Sequence, residues 1–198
     1  QADVLFFAGC TASYVETDIA EATLRLLQDS GLSVAYGGTE ESCCGIPMKM
    51  AGKDELFAES YRRNVDMARA RGAKTIIASC PACSLVWKEM YAEEARRLGE
   101  PYEFEVKHYS EVIAPAIATG TLKLDAPVFG DGTVTFHDSC HAGRAQGIYE
   151  PPRDMLKAIP GIDYVEMEHN REDALCCGSV VTLVGELPVA PKLGCVRL

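Results

Sequence analysis

Five cysteines fall in three groups near the start of the chain: Gly9-Cys10, Cys43-Cys44-Gly45 and Cys80-Pro81-Ala82-Cys83. Half of that arrangement returns as Ser139-Cys140 and Cys176-Cys177-Gly178. Thiolates are ligands for soft metals. Two adjacent cysteines plus a Cys-x-x-Cys pair supply more sulfur than a mononuclear zinc site uses, because zinc takes four ligands in a tetrahedron. A multi-iron cluster suits such a set. Neighbouring thiolates can bind different irons, whereas on one ion they would crowd a single corner. We therefore read both groups as iron–sulfur ligand sets, with a zinc site or redox-active thiols as the alternatives. The spacing departs from that of bacterial ferredoxins, whose cysteines sit two or three residues apart, so a plain cubane ferredoxin is not expected.

The nine cysteines do not read as a disulfide framework. Their number is odd, the domain is large enough to fold without staples, and two pairs are vicinal, a geometry ordinary disulfides rarely use. Metal-bound thiolates in a reducing, cytoplasmic setting fit better. The formal charge of −10 argues against a nucleic-acid partner, which needs a basic surface; an acidic face serves solubility or docking to a basic protein. The longest apolar run, Val4 to Ala8, is far short of the roughly 20 residues that span a bilayer, and no signal peptide precedes it. The expectation is a protein with no membrane span, possible at the periphery of a membrane complex. At 198 residues and 47% hydrophobic content, the chain can bury one core or two small related ones.

The elements that must hold the cysteines follow from the apolar spacing. Asp3 to Ala8 reads as a buried strand that delivers Gly9-Cys10-Thr11 at its carboxyl end, where open α/β sheets place their ligands. A helix over Glu16 to Ser30, with Ile19, Ala22, Leu26 and Leu27 inward, stops at Gly31 and leads to a strand over Leu32 to Tyr36. Such a strand–helix–strand unit makes a parallel pair. Gly37 to Pro47 is a loop around the Cys-Cys-Gly triplet, and Gly45 would let the backbone approach a bulky cofactor. A helix over Lys53 to Arg71 turns Phe57, Tyr61, Val65 and Ala68 inward. A strand over Lys74 to Ser79 ends on Cys80, and a helix follows from Ser84 to Leu98. A strand over Phe104 to Lys107 and a helix to Ile117 capped by Ser110 complete this half.

Thr121 to Gly132 reads as a linker. Thr133 to Phe136 is then a strand entering His137-Asp138-Ser139-Cys140-His141. A helix from Pro151-Pro152 to Pro160-Gly161 and a strand over Asp163 to Met167 precede Cys176-Cys177-Gly178. Cys10 to Cys140 is an offset of 130 and Cys43 to Cys176 an offset of 133, so one plan occurs twice. The expected fold is α/β, with two pseudo-repeated lobes, 1–120 and 133–198, built from parallel βαβ units with cysteine loops at the carboxyl ends of strands. The first lobe's interval would put a second Cys-x-x-Cys beyond Leu198. Only Cys195 stands in that region, within a tail from Val189 to Leu198 that has no helical period, so either the chain is truncated or the second site is lost.

Gly9-Cys10, Cys43-Cys44-Gly45 and Cys80-Pro-Ala-Cys83, at these intervals, resemble the CCG cysteine-rich domain of heterodisulfide reductase catalytic subunits. The same domain occurs in iron–sulfur subunits of glycolate oxidase, lactate utilisation and anaerobic glycerol-3-phosphate dehydrogenase systems. The resemblance covers nearly the whole chain; its second motif, with His137 to His141, matches as far as Cys177-Gly178. It implies a non-cubane [4Fe–4S] cluster held by Cys10, Cys43, Cys44, Cys80 and Cys83. In the second lobe Cys140, Cys176 and Cys177 match, with Cys195 as a candidate substitute, and zinc is the other occupant the family allows there. It further implies a cleft between lobes in which a small disulfide is reduced, with electrons from a ferredoxin-type or flavoprotein partner subunit. The alternatives are an electron relay in a 2-hydroxyacid or glycerol-3-phosphate dehydrogenase-type complex, and a zinc-stabilised structural module. The ferredoxin-type segment that often precedes this module is not seen, which suggests an excised domain or a subunit served by separate proteins.

Other residues carry smaller expectations. His137 and His141 flank a cysteine and either act on bound sulfur, His141 as a proton donor, or fix the loop. Lys49 and Arg144 either offset thiolate charge, hold an anionic substrate or stay solvated. Trp87 packs over the site, and His108 and His169 are structural.

Overall fold

The structure, a computed structural model, describes residues 2–124 and 132–178. Most of the expected linker, and the whole tail with Cys195, lie outside the described residues. Four parallel strands form the main sheet: β1 (Val4–Phe7), β2 (Val34–Tyr36), β3 (Thr75–Ala78) and β4 (Glu105–His108), in the order β2-β1-β3-β4. The apolar run at the start of the chain becomes the central strand because both of its faces are covered. Alternate side chains point to opposite sides, so Leu5 and Phe7 enter one core and Val4, Phe6 and Ala8 another.

Helices close both faces. On one side α4 (Asp54–Ala70) buries Phe57, Tyr61, Val65 and Ala68, the expected stripe. On the other, α2 (Thr17–Asp29) and α7 (Ser110–Ala118) bury Leu27 and Ile113. The inward face of α2 is turned by about one residue from the expected stripe. Thr23 and Leu27 are buried while Ile19 and Ala22 are exposed. A hydrophobic pattern misses this because Thr23 hides its hydroxyl, which donates to the Ile19 carbonyl at 2.8 Å.

The helix expected from Ser84 begins three residues earlier. It runs as α5 (Pro81–Leu85), a π turn (Val86–Met90) and α6 (Tyr91–Leu98), so Cys83 lies in its first turn and not in a loop. Proline is favoured at that first position because its missing N–H has no partner to lose. The π turn carries Trp87 into the core, and Tyr91, which opens α6, follows it there, the ring centroids 5.0 Å apart. Cys10 likewise sits in a helical turn, α1 (Gly9–Tyr14), and Ser110 lies inside α7, whose cap position is Tyr109.

The second lobe has a two-stranded parallel sheet, β5 (Gly132–Val134) with β6 (Ile162–Tyr164), and the short helix α8 (Gly143–Gln146) and α9 (Glu150–Lys157) lie between them. Val4 pairs with Val34 and Gly132 with Ile162, a separation of 30 positions in both lobes, which is the repeat expressed in register. The lobes meet through α7 against α9, and Leu122, within the expected linker, is buried in the first lobe's core. Among the described residues no helix is long and apolar enough to cross a membrane.

His108 ends β4 and is buried, its Nδ1 2.8 Å from the Ser110 hydroxyl, as a structural histidine should be. Burial, opposed by the backbone of Ser79, holds its pKa down to about 4. A group depressed in the folded state supports stability above its unfolded pKa, about 6.5, and loses that support as pH falls through the folded value. Chemical denaturation between pH 7 and pH 4 is therefore expected to show an acid-side loss, of which His108 supplies up to about 3 kcal/mol. The slope should flatten in His108→Gln; an unchanged slope contradicts the assignment.

Candidate metal centre

The strand order sets the place of the site. The chain leaves β1 toward one edge of the sheet and, after β2, returns to the other side of β1 as β3. Adjacent strand ends whose connections diverge leave a crevice at their carboxyl ends. Cys10 follows β1 and Cys80 follows β3, so sulfurs far apart in sequence emerge at this one crevice. The Cys43-Cys44 loop folds in after β2. All five line one cavity of about 510 Å³, together with Ile19, Ile46, Pro47, Met50, Pro81 and, from the second lobe, His141.

Each group is held by a different local device. Gly9 has φ +77°, and a Cβ there would come within 3.0 Å of the Cys83 sulfur, so glycine is needed where two cysteine groups meet. Gly45 has φ +86°, but the atoms a Cβ would meet are Phe57 and Ser60 of α4. On that side the close approach is to a helix, a constraint the sequence did not show. Cys80 occupies the helix cap position, and the backbone N–H groups of Cys83 and Ala82 point toward its sulfur.

The thiols contact one another in the order Cys43, Cys44, Cys83, Cys80. Cys44 is held well below the ordinary thiol range by the Cys43 S–H and then the Cys83 S–H, against the effect of burial. The donors take the opposite shift. Cys83 is pushed well up by sharing its one S–H between Cys44 and Cys80, and Cys43 is pushed up by Cys44. Cys80 is brought down to about 6, first by the Cys83 S–H and then by those backbone N–H groups, against burial. The row is thus divided, Cys44 and Cys80 toward the thiolate and Cys43 and Cys83 toward the thiol, because adjacent sulfurs cannot all carry negative charge without cations among them. Cys10, Cys43, Cys44, Cys80, Cys83 and Cys140 are in no disulfide. The sulfurs surround a space instead of converging on a point; among the described residues no three His, Cys, Asp or Glu stand close enough to hold a single metal ion. A polynuclear group bridging several thiols fits that donor set and that cavity.

Residues outside the cysteine motifs fix this geometry. Glu41 is buried and accepts the Gly9 N–H at 2.6 Å and the Ala8 N–H at 3.3 Å, tying the Cys43 loop to the end of β1. Asn64, fully buried in α4, donates to the Cys43 carbonyl at 3.1 Å and accepts the Ser42 N–H at 2.9 Å. The Tyr91 hydroxyl donates to the Cys44 carbonyl at 3.0 Å. The sequence reading missed all three. Asn64 and Tyr91 were legible only as polar breaks in apolar helix faces.

The second set, Cys140, Cys176 and Cys177, lines an adjoining cavity of about 370 Å³ with His137, Arg144 and Arg171. Met50 and His141 belong to both cavities, so the two thiol sets share a wall. In each Cys-Cys-Gly triplet the glycine N–H points at the first cysteine's sulfur, at 3.5 Å for Gly45 and 3.3 Å for Gly178, and each glycine has positive φ. His137 fixes its loop, its Nε2–H donating to the Leu175 carbonyl at 2.9 Å. Arg144 is exposed, yet it donates to the Glu172 and Ala174 carbonyls and so organises the approach to Cys176. Lys49 pairs with Asp54 at 2.8 Å and lies over the Phe57 ring, outside both thiol cavities. Trp87 packs against Phe7, Tyr91 and Phe104 in the core beneath the site.

A doubly wound parallel sheet with cysteines gathered at its switch point, repeated in abbreviated form, defines a thiol-rich α/β module with two adjoining cavities. The family model described as "Cysteine-rich domain" (CCG) matches residues 4–88 and again 134–195, and the chain belongs to that family. It is 36% identical over 182 residues to one of the subunits of dihydromethanophenazine:CoB--CoM heterodisulfide reductase from Methanosarcina barkeri, covering 90% of this chain and 43% of that protein. It is 36% identical over 179 residues to the EtfAB:quinone oxidoreductase of Syntrophomonas wolfei, covering 89% of this chain and 24% of that protein. The protein named "Probable iron-sulfur-binding oxidoreductase FadF" of Bacillus subtilis is 35% identical over 179 residues, with the same two coverages, 89% and 24%. The chain thus spans less than half the length of these relatives.

Proposed function

We propose that this chain is the iron–sulfur module of an oxidoreductase, related in mode of action to heterodisulfide reductase, and that it reduces a small disulfide between its two thiol sets. The observation that carries the reading is the gathering of Cys10, Cys43, Cys44, Cys80 and Cys83 around one cavity at the switch point of the sheet. These five would hold a non-cubane [4Fe–4S] cluster, and Cys140, Cys176 and Cys177, with Cys195 as a fourth sulfur, a second cluster or a zinc ion. When bound, the iron–sulfur group supplies one-electron transfer. The protein's residues supply the rest. The apolar side chains of Ile46, Pro47 and Met50 line the cavity beside the bond, and His141 reaches the same cavity to hold a proton for the product thiol. The reaction consumes two electrons and two protons, breaks the S–S bond and releases two thiols. The electrons come from a ferredoxin-type or flavoprotein partner.

A second reading, an electron relay between a flavoprotein and another acceptor, is supported by the equal identity to the EtfAB:quinone oxidoreductase. Anaerobic purification followed by iron, sulfide and zinc analysis tests the common ground. About four irons per chain or more are expected, and one zinc without iron overturns both readings. Turnover of a disulfide with a chemical reductant as the electron donor supports the first reading. Activity only with a flavoprotein, and none on disulfides, supports the second.

A further inference from the structure

Gln146 is the last residue of α8 in the second lobe, yet its amide is bonded into the first lobe's cysteine turn. Its Nε2 lies 3.1 Å from the Pro81 carbonyl and 3.0 Å from the Ser84 hydroxyl, and the Ser84 hydroxyl is 3.3 Å from its Oε1. Ser84 is fully buried, and its hydroxyl also contacts the Pro81 carbonyl at 3.0 Å. The same Nε2 donates to the His141 carbonyl at 2.7 Å, five residues back in its own lobe. One side chain thus joins the middle of Cys80-Pro-Ala-Cys83 to the residue that reaches the first cavity from the other side.

We propose that Gln146 is a positioning residue of the first thiol site, a latch through which the second lobe sets both the Cys80–Cys83 turn and His141. The inference deepens the function proposed above and rests on it for its meaning, but its geometry stands independently. The Pro81 carbonyl accepts from the Ser84 hydroxyl within its own turn and from the Gln146 amide of the other lobe, so the amide is the bond that ties this turn across the interlobe contact. The remaining cysteines of the first site are held otherwise, Cys43 and Cys44 by Asn64 and Tyr91 on the far wall. Loss of the latch should therefore loosen one side of the site and leave the other in place.

The test uses two equally buried thiols as probe and control, Cys83 at 4% exposure and Cys44 at 3%. Iodoacetamide labelling of metal-free, reduced protein, read residue by residue by mass spectrometry, reports local opening. Gln146→Met, which keeps the shape without the amide, and Gln146→Glu, which cannot donate, are each expected to label Cys83 about tenfold faster. Labelling of Cys44 and the thermal midpoint should stay as in the parent. Ser84→Ala leaves the bonds to the two carbonyls and is expected to change Cys83 labelling about threefold or less. Parent-like labelling of Cys83 in Gln146→Met, or an equal rise at Cys44, overturns the proposal. In iron-loaded protein, Gln146→Met should alter the shape of the EPR signal at unchanged iron content, and an unaltered signal counts against it. If the parent protein binds no iron, the function proposed above fails while the labelling result still decides the latch.

Discussion

Cys44→Ser is expected to remove most of the iron bound by the first thiol set. Cys44 stands in the middle of the row of contacting thiols, accepting from both Cys43 and Cys83, and its backbone carbonyl is fixed by Tyr91. A serine hydroxyl fills almost the same volume but is not a thiolate at neutral pH, so the site loses the ligand on which its neighbours' protons converge. We expect iron content after anaerobic reconstitution to fall at least about fivefold, because one ligand in a shared set is worth more than the ~1 kcal/mol that corresponds to that ratio. The metal-free variant should unfold within about 1 kcal/mol of the parent, since a near-isosteric exchange in a cavity wall leaves the packing intact. Full iron content with an unchanged EPR spectrum contradicts the ligand assignment. Cys140→Ser separates the two sites, as it should leave the first set's iron in place.

The largest stability effect is expected at the buried ion network beneath the second motif. The Arg153 side chain has no solvent exposure and forms paired bonds to Asp138, at 2.6 and 2.7 Å, and to Glu166, at 2.7 and 3.1 Å. Asp138 also accepts the Arg171 N–H at 2.7 Å. Burial alone would raise Asp138, but the Arg153 hydrogen bonds and then the Arg171 N–H keep it below the usual carboxylate range. Removing one partner leaves the other charged, dehydrated and unmatched, which typically costs roughly 3–5 kcal/mol. Asp138→Ala is therefore expected to lose about 3 kcal/mol, the lower end, because Glu166 still faces the arginine. The paired change Asp138→Leu with Arg153→Met should recover part of the loss, as apolar replacement of a buried pair often does. Urea denaturation measures both. A loss below about 1 kcal/mol in Asp138→Ala would place the network in solvent in practice.

How far the sequence led is clearest at particular residues. The stripe Phe57, Tyr61, Val65 and Ala68 was legible because its spacing matches one helical face and nothing competes with it. The five first-lobe cysteines were legible as a set because thiols are rare and their grouping is unusual. The strand order was not legible. Periodicity says that Val4 to Ala8 and Lys74 to Ser79 are strands, but only the sheet shows that they are neighbours whose ends share a crevice. Polar anchors escaped for a related reason. Glu41, Asn64 and Gln146 act on backbone groups distant in sequence by 21 to 65 positions, and nothing local marks an amide or carboxylate as aimed at a particular carbonyl or N–H. Arg144 reads as a charge for bound sulfur, for an anion or for solvent, because a sequence shows an arginine's sign and not the carbonyls it meets.

The central placing of β1 and β3 has a further result. Their adjacency is fixed by the ladder from Leu5–Ile76 to Phe7–Ala78, while α2 and α4, which join them through β2, lie on opposite faces of the sheet. Residues added to or removed from the outer ends of those helices would lengthen or shorten the detour without changing where it starts or finishes. The sulfur chamber is thus fixed by the strand ladder and not by the length of the path between its strands.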